Sequence, residues 1–188
     1  MDAAEALAEL HWGNLRYVNE RYAVTDVGPA RRREVAQGQY PFAAILGCSD
    51  SRVPPEIVFD QGLGDLFVVR TAGQAIDDIV IGSIEYAVAE LGVKLIAVLG
   101  HEGCGAVEAA LAPSPPPGRI AAVTAAIWPA VRAVAAGGDC LADAVVANVC
   151  YGVARLASTP LLGKAMRTSG LTIVGAVYCL RSGRVFFL

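Results

Sequence analysis

The chain has 188 residues, enough for one well-buried domain and too few for two of ordinary size. Hydrophobic residues make up 55% and charged residues 18%, which favours a thick core and a surface partly covered by other protein, so we expect a homo-oligomer. The formal net charge is −3 without a polybasic tract, which argues against nucleic acid as a partner, and no apolar run is long enough to span a bilayer.

The first residues are acidic and lack a secretory pattern, so we expect a cytoplasmic protein that does not associate with a membrane. The chain has five cysteines, an odd number without secretory context. Metal binding, catalysis or burial is therefore a better expectation than a disulfide framework. Cys140, Cys150 and Cys179 lie in helical or strand patterns without nearby ligands, so we expect these three to be buried. A redox role is the weakest hypothesis because no Cys-x-x-Cys pair occurs.

The N-terminal residues 2–24 carry apolar side chains at near-helical spacing, which predicts an amphipathic helix. This helix is either an arm that lies on a partner subunit or a helix packed on its own domain. A short basic helix over 30–36 follows. We predict a single domain over 1–188, with a helical arm over 1–38 and an α/β core over 39–188.

Nearly continuous apolar runs predict four strands buried on both faces of a parallel sheet, at 42–48, 66–70, 94–101 and 171–180. A tight-turn signal at 181–184 then predicts an antiparallel edge strand over 185–188. Helical patterns occupy 79–91, 106–111, 120–136 and 141–157, a proline-rich surface loop occupies 112–118, and Trp128-Pro129 predicts a kink or break. The fold class is therefore α/β, with a central, mostly parallel sheet flanked by helices.

The first cluster of chemically active residues, Cys48, Asp50 and Arg52, directly follows a predicted buried strand. In extended backbone these alternate residues share one face, and Pro54 supports the extended prediction because it disfavours helix at Val53. A thiol, a carboxylate and a guanidinium would then point the same way.

The second cluster, His101 and Cys104, ends the predicted strand 94–101. The two side chains are three residues apart where a helix starts, a spacing that can bring both to one point. Gly103 and Gly105 let the backbone pass close to that point.

Taken alone, each cluster has an ordinary explanation: a small core cysteine, a surface ion pair or a chance His-x-x-Cys. If the two strands are neighbours, however, a Cys₂His set converges beyond their carboxyl ends, where ligands bind in open α/β sheets. Soft thiolates with imidazole suit Zn²⁺, and three ligands leave a fourth position for water. Asp50, paired with Arg52, could orient that water; released from Arg52, it could itself bind the metal.

These residues resemble the β-class carbonic anhydrases over most of the chain. The resemblance rests on Cys-Ser-Asp-Ser-Arg-Val at 48–53 with His-x-x-Cys-Gly at 101–105, and on supporting segments at 13–17, 65–70, 83–87 and 173–178. It implies reversible hydration of carbon dioxide to bicarbonate, in which zinc-bound hydroxide attacks the substrate. One Zn²⁺ per subunit would be held by Cys48, His101 and Cys104, with Asp50 as a fourth ligand or as the Arg52-paired partner of bound water.

The resemblance also implies a substrate pocket and self-association as a homodimer or homotetramer, with active sites at the subunit interface. The pocket residues would be Gln39, Phe67, Tyr86 and Gly105, some of them contributed by the neighbouring subunit. Two departures stand out. Gln74 follows Ala-Gly where the family often has Asn, and Ile45 stands where the bicarbonate-gated branch has Trp, which favours a resting site with Asp50 on Arg52.

Two alternatives stay open from the sequence. The same fold and metal could act on carbon disulfide or carbonyl sulfide, which the ligand set does not distinguish from carbon dioxide. A structural zinc module would require a fourth protein ligand permanently in place, which the proximity of Arg52 to Asp50 disfavours.

Overall fold

The computed structural model describes residues 1–23, 27–137 and 141–188. In the described residues five strands form one sheet in the order β2-β1-β3-β4-β5. They are β1 (Ala43–Cys48), β2 (Leu66–Thr71), β3 (Leu95–His101), β4 (Thr172–Tyr178) and β5 (Val185–Phe187). The first four are parallel and β5 is antiparallel to β4, which confirms the predicted fold class.

Eight helices flank this sheet in the described part of the chain. They are α1 (Ala3–Val18), α2 (Pro29–Val35), α3 (Pro55–Val58), α4 (Asp78–Ala89), α5 (Gly105–Leu111), α6 (Ile120–Gly137), α7 (Leu141–Ala157) and α8 (Pro160–Thr168). A 3₁₀ turn (Ala72–Gln74) follows β2. Among the described residues no single helix is long and apolar enough to cross a membrane, although α7 and α8, bent by 82°, meet that test jointly.

Alternation along β1 divides the core between the two faces of the sheet. Ala43 and Ile45 pack with buried residues of α1, α3 and β5, whereas Ala44 and Leu46 pack with those of α4, α7 and α8. All six residues of β1 are buried, as expected for a central strand covered on both faces. A third cluster, built from α5, α6 and α7, closes over the carboxyl end of the sheet and includes Cys48 and Cys104.

Helix α1 packs on the core of its own chain. Asp2 begins it as the N-cap, accepting a hydrogen bond from the Glu5 amide at 2.9 Å, and Leu10 is fully buried against the sheet. Asn14 is also buried, and its side chain bonds the Gly183 carbonyl at 2.8 Å and the Val185 amide at 2.8 Å. Of the two sequence hypotheses for this helix, the structure shows the one in which it packs on its own domain.

Several sequence predictions need correction. Helix α1 ends at Val18 rather than near residue 24, which itself lies outside the described residues. The short elements α3, α8 and the 3₁₀ turn were not predicted, and α6 continues through Pro129 without a break. Cys150 was predicted to be buried but is exposed, Cys179 is half-buried, and Cys140 lies outside the described residues.

Candidate metal centre

The two predicted clusters meet at the point where the strand order reverses. Strand β1 pairs with β2 on one side and with β3 on the other, so the chain winds in opposite directions from β1. Cys48 is the last residue of β1 and His101 the last residue of β3. The carboxyl ends of adjacent parallel strands at such a reversal form the usual ligand crevice of an open α/β sheet. The strand adjacency on which the sequence argument depended is confirmed.

Cys48, His101 and Cys104 form one buried group of potential metal ligands. Their ligand atoms all lie within 4.8 Å of one another, and the two Sγ atoms are 4.0 Å apart. The exposed fractions are 4%, 0% and 2%. Cys104 reaches the group because it is the N-cap of α5, which begins immediately after it at Gly105.

The hydrogen bonding of His101 prepares one ring nitrogen for a metal. Nδ1 lies 2.9 Å from the Glu102 carbonyl oxygen, and because a carbonyl only accepts, Nδ1 carries the proton. In the neutral ring Nε2 is then unprotonated, and this buried atom has no hydrogen-bond partner in the described part of the chain. A metal-ligating histidine typically has its other ring N–H fixed in this way. The donor set therefore fits a zinc ion.

The two thiols ionise at different pH values because they lie against each other. A hydrogen bond from the Cys104 thiol lowers the pKa of Cys48, with help from the backbone N–H groups of Asp50 and Gly73. The pKa of Cys104 is raised in turn by that hydrogen bond and by burial. Cys48 is thus the sulfur of the pair that more readily becomes a thiolate, the form that binds metal.

The segment after β1 is not extended as predicted. The Val53 amide donates to the Asp50 carbonyl at 3.1 Å, closing a turn over 50–53. Arg52 nevertheless holds the Asp50 carboxylate through its backbone N–H at 2.9 Å, Nε at 2.9 Å and Nη2 at 2.7 Å. The Arg52 hydrogen bonds hold the pKa of Asp50 well below its usual range. Asp50 Oδ2 lies 3.8 Å from His101 Nε2, so an ionised carboxylate stands beside the ligand group.

Arg70 belongs to segment 65–70, which supports the family resemblance, but no role was predicted for it. From β2 its Nε donates to the Cys48 carbonyl at 2.8 Å and its Nη2 to the Asp50 carbonyl at 2.6 Å. These bonds tie the backbone of the first cluster to the neighbouring strand. The Gly73 amide, also not predicted, donates to Cys48 Sγ at 3.2 Å.

The predicted pocket residues do not all gather at the ligand group within one chain. Gly105 lies next to Cys104, and the position that a Cβ would occupy on it is open space. Phe67 and Tyr86 contact each other, with ring centroids 6.2 Å apart. Phe67 pairs with Ala44, four residues before Cys48 and so roughly 13 Å back along the strand. Gln39 is exposed in the loop before β1.

Two cysteines and a histidine beside an ionised carboxylate form a donor set that could hold a metal ion, at the switch point where open α/β sheets bind their ligands. Residues 43–185 match the family model for carbonic anhydrase. The chain belongs to the carbonic anhydrase family, in its β class, whose known reaction is the hydration of carbon dioxide.

Individual relatives agree. The chain is 42% identical to a carbonic anhydrase of Mycolicibacterium smegmatis over 179 residues, covering 92% of this chain and 87% of the relative. It is 35% identical to a carbonic anhydrase of Pseudomonas aeruginosa, with 92% and 83% covered. Among solved structures, a β-carbonic anhydrase of Sordaria macrospora, described as tetrameric, superposes with a TM-score of 0.80 at 28% identity, covering 86% of this chain and 87% of that one.

Proposed function

We propose that this chain hydrates carbon dioxide reversibly with one zinc ion per subunit, held by Cys48, His101 and Cys104. The observation that carries this proposal is the buried convergence of two sulfurs with His101 Nε2, which has no hydrogen-bond partner among the described residues. Zinc bound there would supply Lewis acidity, making a nucleophile of water near neutral pH. Two thiolates offset the charge of the ion, which makes the surrounding hydrogen-bond acceptors more important to the chemistry.

The Asp50 carboxylate is a hydrogen-bond acceptor of this kind beside the ligand group. Three hydrogen bonds from Arg52 fix its carboxylate, and its lowered pKa keeps it ionised and able only to accept. Because Oδ2 lies near His101 Nε2, it can take a hydrogen bond from a protonated group in the open part of the site. Asp50 thereby orients the nucleophile, and Arg52 keeps Asp50 from approaching the ligands.

We expect purified protein to contain about one zinc per chain and to lose carbon dioxide hydration when a chelator removes the metal. The physical reason is that water bound to zinc ionises near neutral pH, whereas free water does not. Metal analysis and stopped-flow hydration assays, before and after adding zinc back, test this. Undiminished hydration by the stripped protein would contradict the proposal.

The same assays, run with carbon disulfide and carbonyl sulfide, test the alternative substrates. Membership of the carbonic anhydrase family supports carbon dioxide. Turnover of either sulfur compound with negligible carbon dioxide hydration would overturn this choice while leaving the zinc site intact.

Self-association is the second part of the proposal. Strand β2 is an edge strand and is only partly buried along its whole length, and α4 beside it exposes 79% of Ile79 and 49% of Tyr86. Phe67 and Tyr86 therefore lie on an uncovered surface, distant from their own ligand group. This placement supports a site completed by Gln39, Phe67 and Tyr86 of a second copy. The cytoplasmic location stays a prediction.

We expect light scattering to give a mass that is a multiple of 19.5 kDa. Tyr86→Asp should lower that mass and the hydration rate together, because it places a charge in an apolar contact. Ile120→Asp, which changes an apolar residue with 54% exposure on α6, is the control. A fully active monomer would contradict the shared site.

A further inference from the structure

Gly73 lies between the proposed metal centre and helix α7. Its amide donates to Cys48 Sγ at 3.2 Å, and its carbonyl oxygen accepts from Asn148 Nδ2 at 2.9 Å. The two peptide groups that flank Gly73 are thus held from opposite sides, one by a metal-ligand sulfur and the other by a side chain 75 residues further along the sequence.

The backbone at Gly73 is shaped for this contact. Its φ is +62°, and a Cβ built there would lie 2.7 Å from Ile127 Cδ1 and 2.9 Å from Ala106 Cβ. Only glycine fits such a position, since both the dihedral angle and the space exclude a side chain. The segment packs against α5 and α6, with the Gly73 N–H directed toward Cys48 and the Gly73 carbonyl oxygen toward Asn148.

Asn148 is a polar residue in an apolar part of α7. It is 5% exposed, and its neighbour Val149 is fully buried in the core. A buried amide is costly unless it is hydrogen-bonded, and here its donor goes to Gly73. Without Asn148 the buried Gly73 carbonyl would lose this partner, and the turn would shift to regain one.

We propose that Asn148 is a positioning residue of the metal centre, which holds Gly73 so that its N–H stays on Cys48 Sγ. The inference rests on the proposed function, because it takes Cys48 to be a zinc ligand. An N–H donated to a ligating thiolate withdraws charge from the sulfur and fixes its direction. Removing a group that orients a ligand in this way typically weakens metal affinity about 10- to 100-fold.

The test compares two changes on α7. Asn148→Ala removes the hydrogen bond, and Leu156→Ala truncates another fully buried residue of the same helix, two turns away. Asn148→Leu is a second variant that nearly keeps the size of the side chain and has no hydrogen-bond donor. Zinc affinity is measured by chelator competition, and the sulfur is observed through the thiolate-to-metal absorption of the cobalt-substituted protein.

Both Asn148 variants should bind zinc roughly 10- to 100-fold more weakly. Their cobalt charge-transfer band should move to longer wavelength, because a thiolate without its N–H donor releases charge more easily. Leu156→Ala should change neither. Asn148 variants with wild-type affinity and spectrum, or the same change in Leu156→Ala, would overturn the inference.

A failure of the positioning role can be distinguished from a failure of the proposed function. If wild-type protein binds no stoichiometric zinc, the proposed function falls. The Gly73 amide resonance of the metal-free protein still decides the positioning role: it should move when Asn148 is replaced and stay in place with Leu156→Ala.

Discussion

His101→Ala should give a folded protein that holds no stoichiometric zinc and hydrates carbon dioxide at least about 10³-fold more slowly, since a metal contributes several kcal/mol of transition-state stabilisation and each ~1.4 kcal/mol is tenfold. The variant removes the one neutral ligand and leaves two sulfurs 4.0 Å apart. The measurements are metal content and stopped-flow hydration on the same sample. Circular dichroism establishes that the fold persists.

The chain offers a matched control for this change. His11, its only other histidine, is exposed on α1, so His11→Ala should retain both zinc and activity. Cys48→Ser should behave like His101→Ala, whereas Cys150→Ser changes an exposed thiol and should be silent. A zinc-free His101→Ala protein with wild-type turnover would refute the ligand assignment.

The strands that carry the ligands were predictable because local sequence determines them. Each apolar run ends at turn-forming or charged residues, and β1 and β3 end at Cys48 and His101 as the runs indicate. The order of the strands is not local. That β1 and β3 are neighbours depends on how the whole chain winds, so from the sequence the convergence of the clusters could only be conditional.

The turn after Cys48 shows why a correct chemical pairing can accompany a wrong backbone prediction. Asp50 and Arg52 were expected to share a face through extended structure, but a turn over 50–53 replaces it. The pair forms all the same because a carboxylate two residues before an arginine can accept from both its backbone N–H and its guanidinium. The contact is local, and it survives either conformation.

The groups that support the ligands could not be predicted in this way. Arg70 reaches carbonyl oxygens 20 and 22 residues earlier, and Asn148 one that is 75 residues earlier. Nothing in the residues themselves specifies a backbone acceptor at such separations. A buried asparagine within an apolar helix is the only available signal, and it indicates a partner without naming it.

Gln74 stands where the β-class carbonic anhydrases often have Asn, and the structure shows the local effect of this difference. It has a φ of +43° and is 3% exposed, and its Oε1 has no hydrogen-bond partner among the described residues. Asparagine, which the resemblance would place there, adopts positive φ more readily because its short side chain bonds locally. This chain therefore carries strain directly after Gly73, the residue that contacts Cys48.

Arg52→Met should retain zinc and lose about 10²-fold of the hydration rate, the effect of misplacing a group at the reacting centre. Arg52 is the only residue with a hydrogen bond to the Asp50 side chain in the described structure, and it makes three. Arg52→Lys should recover part of the loss, since it keeps the charge without the fork. Arg119→Met, at another exposed arginine, is the control. Full activity in Arg52→Met would show that holding Asp50 is unimportant.

The double variant Asp50→Ala with Arg52→Met separates two reasons for that loss. A carboxylate is a good zinc ligand, and Asp50 Oδ2 already lies 3.8 Å from the ring nitrogen proposed to bind the metal. If freed Asp50 occupies the position that substrate chemistry needs, removing it should make the double variant more active than Arg52→Met alone. We expect this recovery, because Arg52 alone restrains the carboxylate at that distance. A double variant no more active than the single one would mean that Arg52 serves only to orient Asp50, not to keep it off the metal.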